Sequence, residues 1–347
     1  MPEGEKEITI YDIAARLSVS AATVSRALND HPRVSKATKK LIIKAAEEMG
    51  YRSNSFASNL RTKQSNVIGV IVPRLNSSFM ADVLAGIEKV VNDNNYTLFI
   101  SQSLESMEKE AGNARAMLNN RVDGLLVSVA YDTTGFEHFE PFIKRNIPVI
   151  FFDRVLDHES CPQIYIDNYK AAYDITSHLI KQGCKRIVHI TGNQLRNVYS
   201  DRFRGYKSAL EQHNIKFDSS LVIVNDLSSS AGTVAAHEIL KMSPLPDGLF
   251  VANDLCAVSC MQALKKEGIN IPGDIAVVGF NNDPMSAVIE PNLTTVNYKG
   301  YEMGEAAAKL MINHLVDKYD LQETHSLVLR SELIIRQSSL RSAGEKL

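Results

Sequence analysis

The hydrophobic positions of this chain repeat with two different patterns, which divide it into a short helical segment and a long segment of alternating strands and helices. From Thr9 to Leu28 it reads TIYDIAARLSVSAATVSRAL. Ile10, Ile13, Ala14 and Leu17 fall at i, i+3, i+4 and i+7, lining one face of a short helix that Thr9 can cap, with Asp12 three positions on. Ser18-Val19-Ser20 breaks the period, and Ser20 is placed to cap a second helix in which Val24 and Leu28 close on the first. Ala21, Ala22, Ser25 and Arg26 are then left outward near the start of that second helix. A third helix is predicted from Ser35, with Leu41, Ile42, Ala45, Ala46 and Met49 inward and Gly50 at its C′ position. Three such helices can share one small core.

Past Val67 the pattern changes. VIGVIVP is a nearly continuous apolar run of buried-strand type, followed by a helical stretch from Phe79 to Asn92. TLFIS, a helix around Met107 to Asn120, GLLVSV, a helix around Phe136 to Lys144, and PVIFFD continue the alternation as βαβ units. A second series opens at QIYID and runs through RIVHITG, the helix Asp201–His213, LVIVND, the helix Ala231–Met242, GLFVAND, the helix Leu255–Glu267 and IAVVGF. Two parallel sheets with helices on both faces are predicted. Between the segments, Tyr51 to Ser65 is polar apart from Phe56, Ala57 and Leu60, and as an isolated helix it is too short to be stable. Taken alone it is a linker.

Charge separates the same two segments. Residues 1–63 hold 11 Lys and Arg against 7 Asp and Glu, whereas residues 64–347 hold 27 against 33, so only the head suits a polyanion. Lys36, Lys39, Lys40 and Lys44 beside Arg26 and Arg33 offer phosphate contact from several directions. A recognition helix enters the major groove N-terminus first and would present Ala21, Ala22, Ser25 and Arg26 there, although an ordinary αα-hairpin gives the same pattern. The chain has no GxGxxG after its first strand, no GxxxxGK[ST] loop, no GxSxG and no HExxH, and its nine histidines show no metal spacing. No enzyme activity and no cofactor are expected. Cys161, Cys184, Cys256 and Cys260 include no CxxC and are expected to be buried thiols. The polar, acidic N-terminus lacks the features of a signal peptide and no run approaches membrane-spanning length, so a cytoplasmic protein with no membrane partner is expected.

IYDIAARLSVSAATVSRALN followed by VSKATKKLIIKAAEEMGYRSN resembles the DNA-binding head of the lactose/galactose-repressor family, and the strand-helix series extends the resemblance through the chain. The resemblance implies a small all-α helix-turn-helix head joined by a hinge helix to an α/β core of two doubly wound parallel-sheet subdomains. The head would span 1–52, the hinge 53–65 and the core 66–337, divided as about 66–165 plus 294–326 and about 166–293 plus 327–337, with a tail at 338–347. It implies a repressor that acts as a homodimer on double-stranded, pseudo-palindromic operator DNA and is controlled by a small, sugar-like effector. A stand-alone binding protein of the periplasmic sugar-binding type is the alternative for the core, but it would have no use for the basic head.

Carried over residue by residue, the resemblance assigns Ala21, Ala22, Ser25 and Arg26 to the major groove and Tyr11, Ser20, Thr23, Arg33 and Ser35 to the DNA backbone. It assigns Ala57, Leu60 and Arg61 to the minor groove, with Leu60 as a wedge between base steps. In the core, ligands of open α/β sheets bind at the carboxyl ends of strands, which points to Asp153, Asp167, Asn225, Asp226, Asn253, Asp254, Asn281 and Asn282. Most such residues only cap helices or make turns. The resemblance selects Asp153, Arg202, Leu227 and Asp254 for the effector site, with Phe79 as an aromatic wall and Asn282 at the rim. Many relatives carry an acidic pair where this chain has Asn281-Asn282, which removes charge and keeps donors and acceptors. The tail SSLRSAGEKL has no repeated apolar a/d pattern, so a dimer is the expected limit of assembly.

Overall fold

The computed structural model describes residues 8–28, 30–51, 64–317, 320–321 and 325–341, which belong to two units divided after Ser65. In the first unit, α1 (Ile10–Leu17), α2 (Ala21–Leu28) and α3 (Lys36–Glu48) are each fixed by the residue that precedes them. The Thr9 N–H donates to Asp12 Oδ2 at 2.8 Å, Ser20 Oγ accepts from the Thr23 N–H at 3.1 Å, and Ser35 Oγ accepts from the Thr38 N–H at 3.2 Å. Ile13, Val24 and Ile42, one from each helix, are fully buried in one cluster. Gly50 sits at φ +70, the left-handed position that ends a helix without a Cβ penalty. One inward residue was misplaced: Leu41 is 55% exposed. Ile42, Ala45, Ala46 and Met49 already complete the i, i+3, i+4, i+7 stripe, and Leu41 lies one position outside it.

The second unit begins with β1 (Val67–Val72), α4 (Ser78–Asp93), β2 (Thr97–Gln102), α5 (Met107–Asn119), β3 (Gly124–Val127), α6 (Glu140–Ile143), β4 (Val149–Phe152) and β5 (Gln163–Ile166). There follow α7 (Asn168–Lys181), β6 (Ile187–Thr191), α8 (Asn197–Gln212), β7 (Val222–Val224), α9 (Ser229–Ile239), β8 (Gly248–Val251), α10 (Asp254–Lys266) and β9 (Ala276–Val278). The chain ends with β10 (Thr295–Asn297), α11 (Gly300–Asp317), β11 (Ser326–Leu329) and β12 (Glu332–Ile334). The first sheet has the order β11-β5-β4-β3-β1-β2 and the second β7-β6-β8-β9, with every pairing parallel, while β10 and β12 form a separate antiparallel pair.

Four expectations need correction. QIYI does not open the second series: as β5 it lies between β4 and β11 in the first sheet, and Asp167 caps the helix that leads out of it, accepting from the Lys170 N–H at 2.8 Å. β11 still pairs with the first sheet through Leu329, so the last crossing follows residue 329 rather than 327. The helix expected from Phe136 is only Glu140–Ile143, because Pro141 has no N–H to give to an earlier turn and fits only at a helix start. α8 starts at Asn197, which puts Arg202 in its second turn rather than at its beginning. The return of the chain to the first sheet is secured where α11 crosses α4. A Cβ at Gly304 would lie 2.0 Å from the Val83 carbonyl oxygen, so the two backbones meet directly.

Candidate functional site

In the head, Ala22 and Arg26 are exposed on α2, and Ala21 and Ser25 are partly covered. Tyr11 is 71% exposed and Arg33 is exposed as well. Ser20 and Ser35 cap α2 and α3, and Thr23 Oγ1 lies 2.9 Å from Ser20 Oγ, so these hydroxyls stand where helix N–H groups face outward toward an anion. Lys39 is less available than the sequence suggested. Its Nζ holds Asp30 Oδ1 at 2.5 Å and the Asp30 carbonyl oxygen at 2.9 Å, fixing the turn before α3. Ala57, Leu60 and Arg61 lie outside the described residues.

The core contains a cavity of about 350 Å³ between the carboxyl ends of the two sheets. Phe79, Asp153, Arg202 and Leu227, all expected at the effector site, line it. Phe79 stacks on Tyr298 with ring centres 4.4 Å apart. The Tyr298 hydroxyl donates to Asp153 Oδ1 at 2.5 Å and the Ser128 hydroxyl to Oδ2 at 3.2 Å. Burial pushes the Asp153 carboxyl above its ordinary range, and these hydroxyls and the nearby Arg154 and Arg202 oppose that shift. Arg202 is 3% exposed, with its guanidinium carbon 3.6 Å from the Phe280 ring centre. Its Nε donates to Asn168 Oδ1 at 2.9 Å and its terminal nitrogen to the Ala252 carbonyl at 2.7 Å.

Two expected residues are not on the wall. Asp254 is fully buried behind it, where Oδ1 accepts from the Thr295 hydroxyl and Oδ2 from the Asp283 N–H, each at 2.8 Å. It ties the start of α10 to β10 and to the segment after β9. The Asn282 side chain is turned to Arg336, whose guanidinium donates to Oδ1 at 2.7 Å, while its neighbour Asn281 faces the cavity. Asn281 and Asn282 have φ of 117 and 60, and successive left-handed residues favour asparagine over most side chains, so this pair is explained by backbone as much as by chemistry.

Asp226, Asn253 and Asn281, three of the strand-end residues, also line the cavity, whereas Arg154, Arg74, Glu105 and Tyr298 were not foreseen. Arg154 donates to Glu105 Oε2 at 2.7 Å and to the Tyr199 hydroxyl at 3.1 Å, and Arg74 stands 3.5 Å from Glu105 Oε1. Arg154 and Arg74 each stand two residues past a strand, β4 and β1, next to the position the rule for Asp153 singles out. Tyr298 follows β10 directly, but β10 lies in the antiparallel pair, outside the parallel sheets the rule concerns. All four cysteines are buried, and no three His, Cys, Asp or Glu among the described residues could share a metal ion. No helix among the described residues is long and apolar enough to cross a membrane.

Burial raises the pKa of Asp254 to about 7, aided by the Asp283 carboxylate, and burial raises that of Asp283 to about 6. The folded state therefore holds a proton that an unfolded chain, with a value near 3.8, has released. Stability from this site is present at low pH and is lost as pH rises through about 7. Asp254→Asn keeps an oxygen for the Asp283 N–H and an NH₂ for the Thr295 hydroxyl, and it cannot ionise. The variant should match the wild type near pH ~3.5, where folded and unfolded carboxyls are both protonated, and melt several degrees higher near pH ~8. Parallel melting curves for the two proteins across that range would disprove the assignment.

Residues 9–54 match the model of the bacterial regulatory proteins of the lacI family, and residues 176–339 match a periplasmic binding protein-like domain. The chain is 30% identical over 328 residues to catabolite control protein A of Priestia megaterium, covering 93% of this chain and 98% of that one. It is 30% identical over 331 residues to the ribose operon repressor of Halalkalibacterium halodurans, covering 95% and 97%. Among solved structures, the transcriptional regulator CelR in complex with cellobiose superposes with a TM-score of 0.73 at 26% identity, covering 96% of this chain and all of that one. These relatives match head and core together and are transcription regulators, which sets aside a stand-alone binding protein. The chain belongs to the lacI family of bacterial regulatory proteins: it is a DNA-binding transcriptional regulator whose core is built to receive a small effector.

Proposed function

We propose that the protein is a cytoplasmic repressor that acts by binding and not by catalysis. As a homodimer it places α2 of each head in the major groove of one half of a pseudo-palindromic operator, and a small neutral polyol of the sugar class in the core cavity controls it. The observation that carries the DNA reading is the surface of α2, where Ala22 and Arg26 stand exposed over a packed three-helix core. Tyr11, Ser20, Thr23, Arg33 and Ser35 would hold the phosphates, and Ala57, Leu60 and Arg61 the minor groove. For the effector, the support is that the buried charges of the cavity are already engaged: Arg154 by Glu105, Arg202 by Asn168 and Ala252, and Asp153 by Tyr298 and Ser128. A ligand entering among them meets donors, acceptors and an aromatic edge, which suits hydroxyl groups better than a net charge. CelR is solved with cellobiose, which agrees with this class. Asp254 and Asn282, off the wall, would act by holding its shape.

The test of the DNA reading is Arg26→Ala. On an operator selected from random DNA by the full-length protein, the variant should lose ~1–3 kcal/mol of specific affinity while binding to random DNA falls much less. Equal loss on both would remove Arg26 from base readout. For the effector, neutral sugars and their phosphorylated counterparts can be screened by thermal shift, where a ligand at ~100 times its dissociation constant stabilises by about 2.7 kcal/mol. A response confined to the phosphorylated forms would refute the neutral class.

A further inference from the structure

The two sheets are joined by chain crossings after β5, after β9 and after β11, which are the two strands nearest one end of the first sheet and the last strand of the second. At the other end, around β7, no crossing among the described residues joins them, and side-chain bonds do. Tyr131, in the segment after β3, is at their centre. Its hydroxyl accepts from the Asn193 N–H at 2.8 Å and donates to the Asn225 carbonyl at 3.2 Å, so one oxygen ties the ends of β3, β6 and β7. The Asn193 side-chain amide returns a bond to the Tyr131 carbonyl at 3.4 Å. A Cβ at Gly192 would lie 2.2 Å from the Tyr131 hydroxyl and 2.8 Å from the Tyr199 ring, so only glycine fits there while Tyr131 is seated.

The same residue reaches the cavity wall. Its N–H donates to Glu105 Oε2 at 3.1 Å, the oxygen that Arg154 holds, and the Arg154 guanidinium lies 5.2 Å from the Tyr131 ring centre. We propose that Tyr131 is a positioning residue that latches the cleft shut at the edge opposite the chain crossings, and through Glu105 and Arg154 couples that closure to the shape of the effector cavity. Other bonds cross nearby, including Arg196 to the Thr133 carbonyl and Asn197 to the Asp153 carbonyl at 3.0 Å, but neither joins three strand ends.

Amide hydrogen exchange on the full-length protein tests this without DNA or effector, so its failure would leave the proposed function untouched. The reporters are Leu195 and Leu227, whose N–H groups donate to Asn193 Oδ1 at 3.0 Å and Asn225 Oδ1 at 2.9 Å and do not touch Tyr131. Tyr131→Phe keeps the ring beside Tyr199 and removes both hydroxyl bonds; exchange around these reporters should rise about tenfold, with the amides of β1 and β8 unchanged. Gly192→Ala should give the same pattern by wedging the ring out. A residue that only stabilises the fold would instead raise exchange evenly across the core and lower its melting temperature, and that result overturns the proposal. So does unchanged exchange at both reporters in Tyr131→Phe, which decides the matter alone if Gly192→Ala does not fold.

Discussion

Ile42→Ala in α3 is expected to unfold the head and abolish operator binding while the melting transition of the core stays where it is. Ile42 is completely buried with Ile13 and Val24, so the three helices meet on these three side chains. Truncating a buried isoleucine to alanine costs ~2–5 kcal/mol. A domain of this size draws only about 3–5 kcal/mol from its single core, so the substitution removes most or all of the margin. The separation of the chain into two units after Ser65 confines the damage to the first. Leu41→Ala, one residue earlier and 55% exposed, is the control and should change stability by no more than about 0.5 kcal/mol. Anisotropy with labelled operator measures the first effect and calorimetry of the full chain the second. Operator affinity within a few-fold of wild type in Ile42→Ala would show that the head does not depend on this core.

The head was almost fully legible because its signals are local. Thr9, Ser20 and Ser35 announce three helices; Ser20 and Ser35 accept from helix N–H groups as their positions promise, while Thr9 acts through its N–H and hydroxyl, which both donate to Asp12 Oδ2. Leu41 was misread because an apolar residue next to a complete stripe looks like part of it. The core's parallel strands were found from their apolar runs, but run composition cannot say which sheet a strand joins. That is why β5 was placed in the second series although it pairs with β4 and β11. The cavity shows the same limit at finer scale. Strand ends are readable, which gave Asp153, Asp226, Asn253 and Asn281, yet the direction of a side chain beyond the strand depends on distant partners. Arg336 turns Asn282 away, and Thr295 with Asp283 holds Asp254 behind the wall. Tyr131 was invisible for this reason too, since its partners Asn193 and Asn225 are more than sixty and ninety positions away.

Arg202→Ala is expected to abolish the ligand response, and the structure adds that it will also destabilise the core. A residue exposed on the wall of a cleft could be removed with little cost to stability. Instead the guanidinium is 3% exposed, and its loss leaves the Ala252 carbonyl and the Asn168 amide oxygen without their donor and uncovers the face of Phe280. Two hydrogen bonds to a charged donor and the vacated volume together should cost about 3–5 kcal/mol. Loss of response could then be blamed on poor folding, and Arg202→Lys resolves this. A lysine retains the charge and the contact with Phe280 but cannot donate in two directions from a planar fork, so melting should recover in part while the response does not. Asp254→Asn provides the opposite case: it preserves the hydrogen bonds behind the wall and should respond as wild type does. The measurement is the thermal shift produced by the sugar that stabilises the wild type most, together with its effect on operator affinity. A ligand touching Arg202 from the second sheet and Phe79 from the first can change DNA binding only by preferring one angle between the sheets, since equal affinity for both shifts nothing. A wild-type thermal shift in Arg202→Ala would place the effector elsewhere; a normal shift with no change in operator affinity would leave Arg202 outside the binding contacts and inside the coupling.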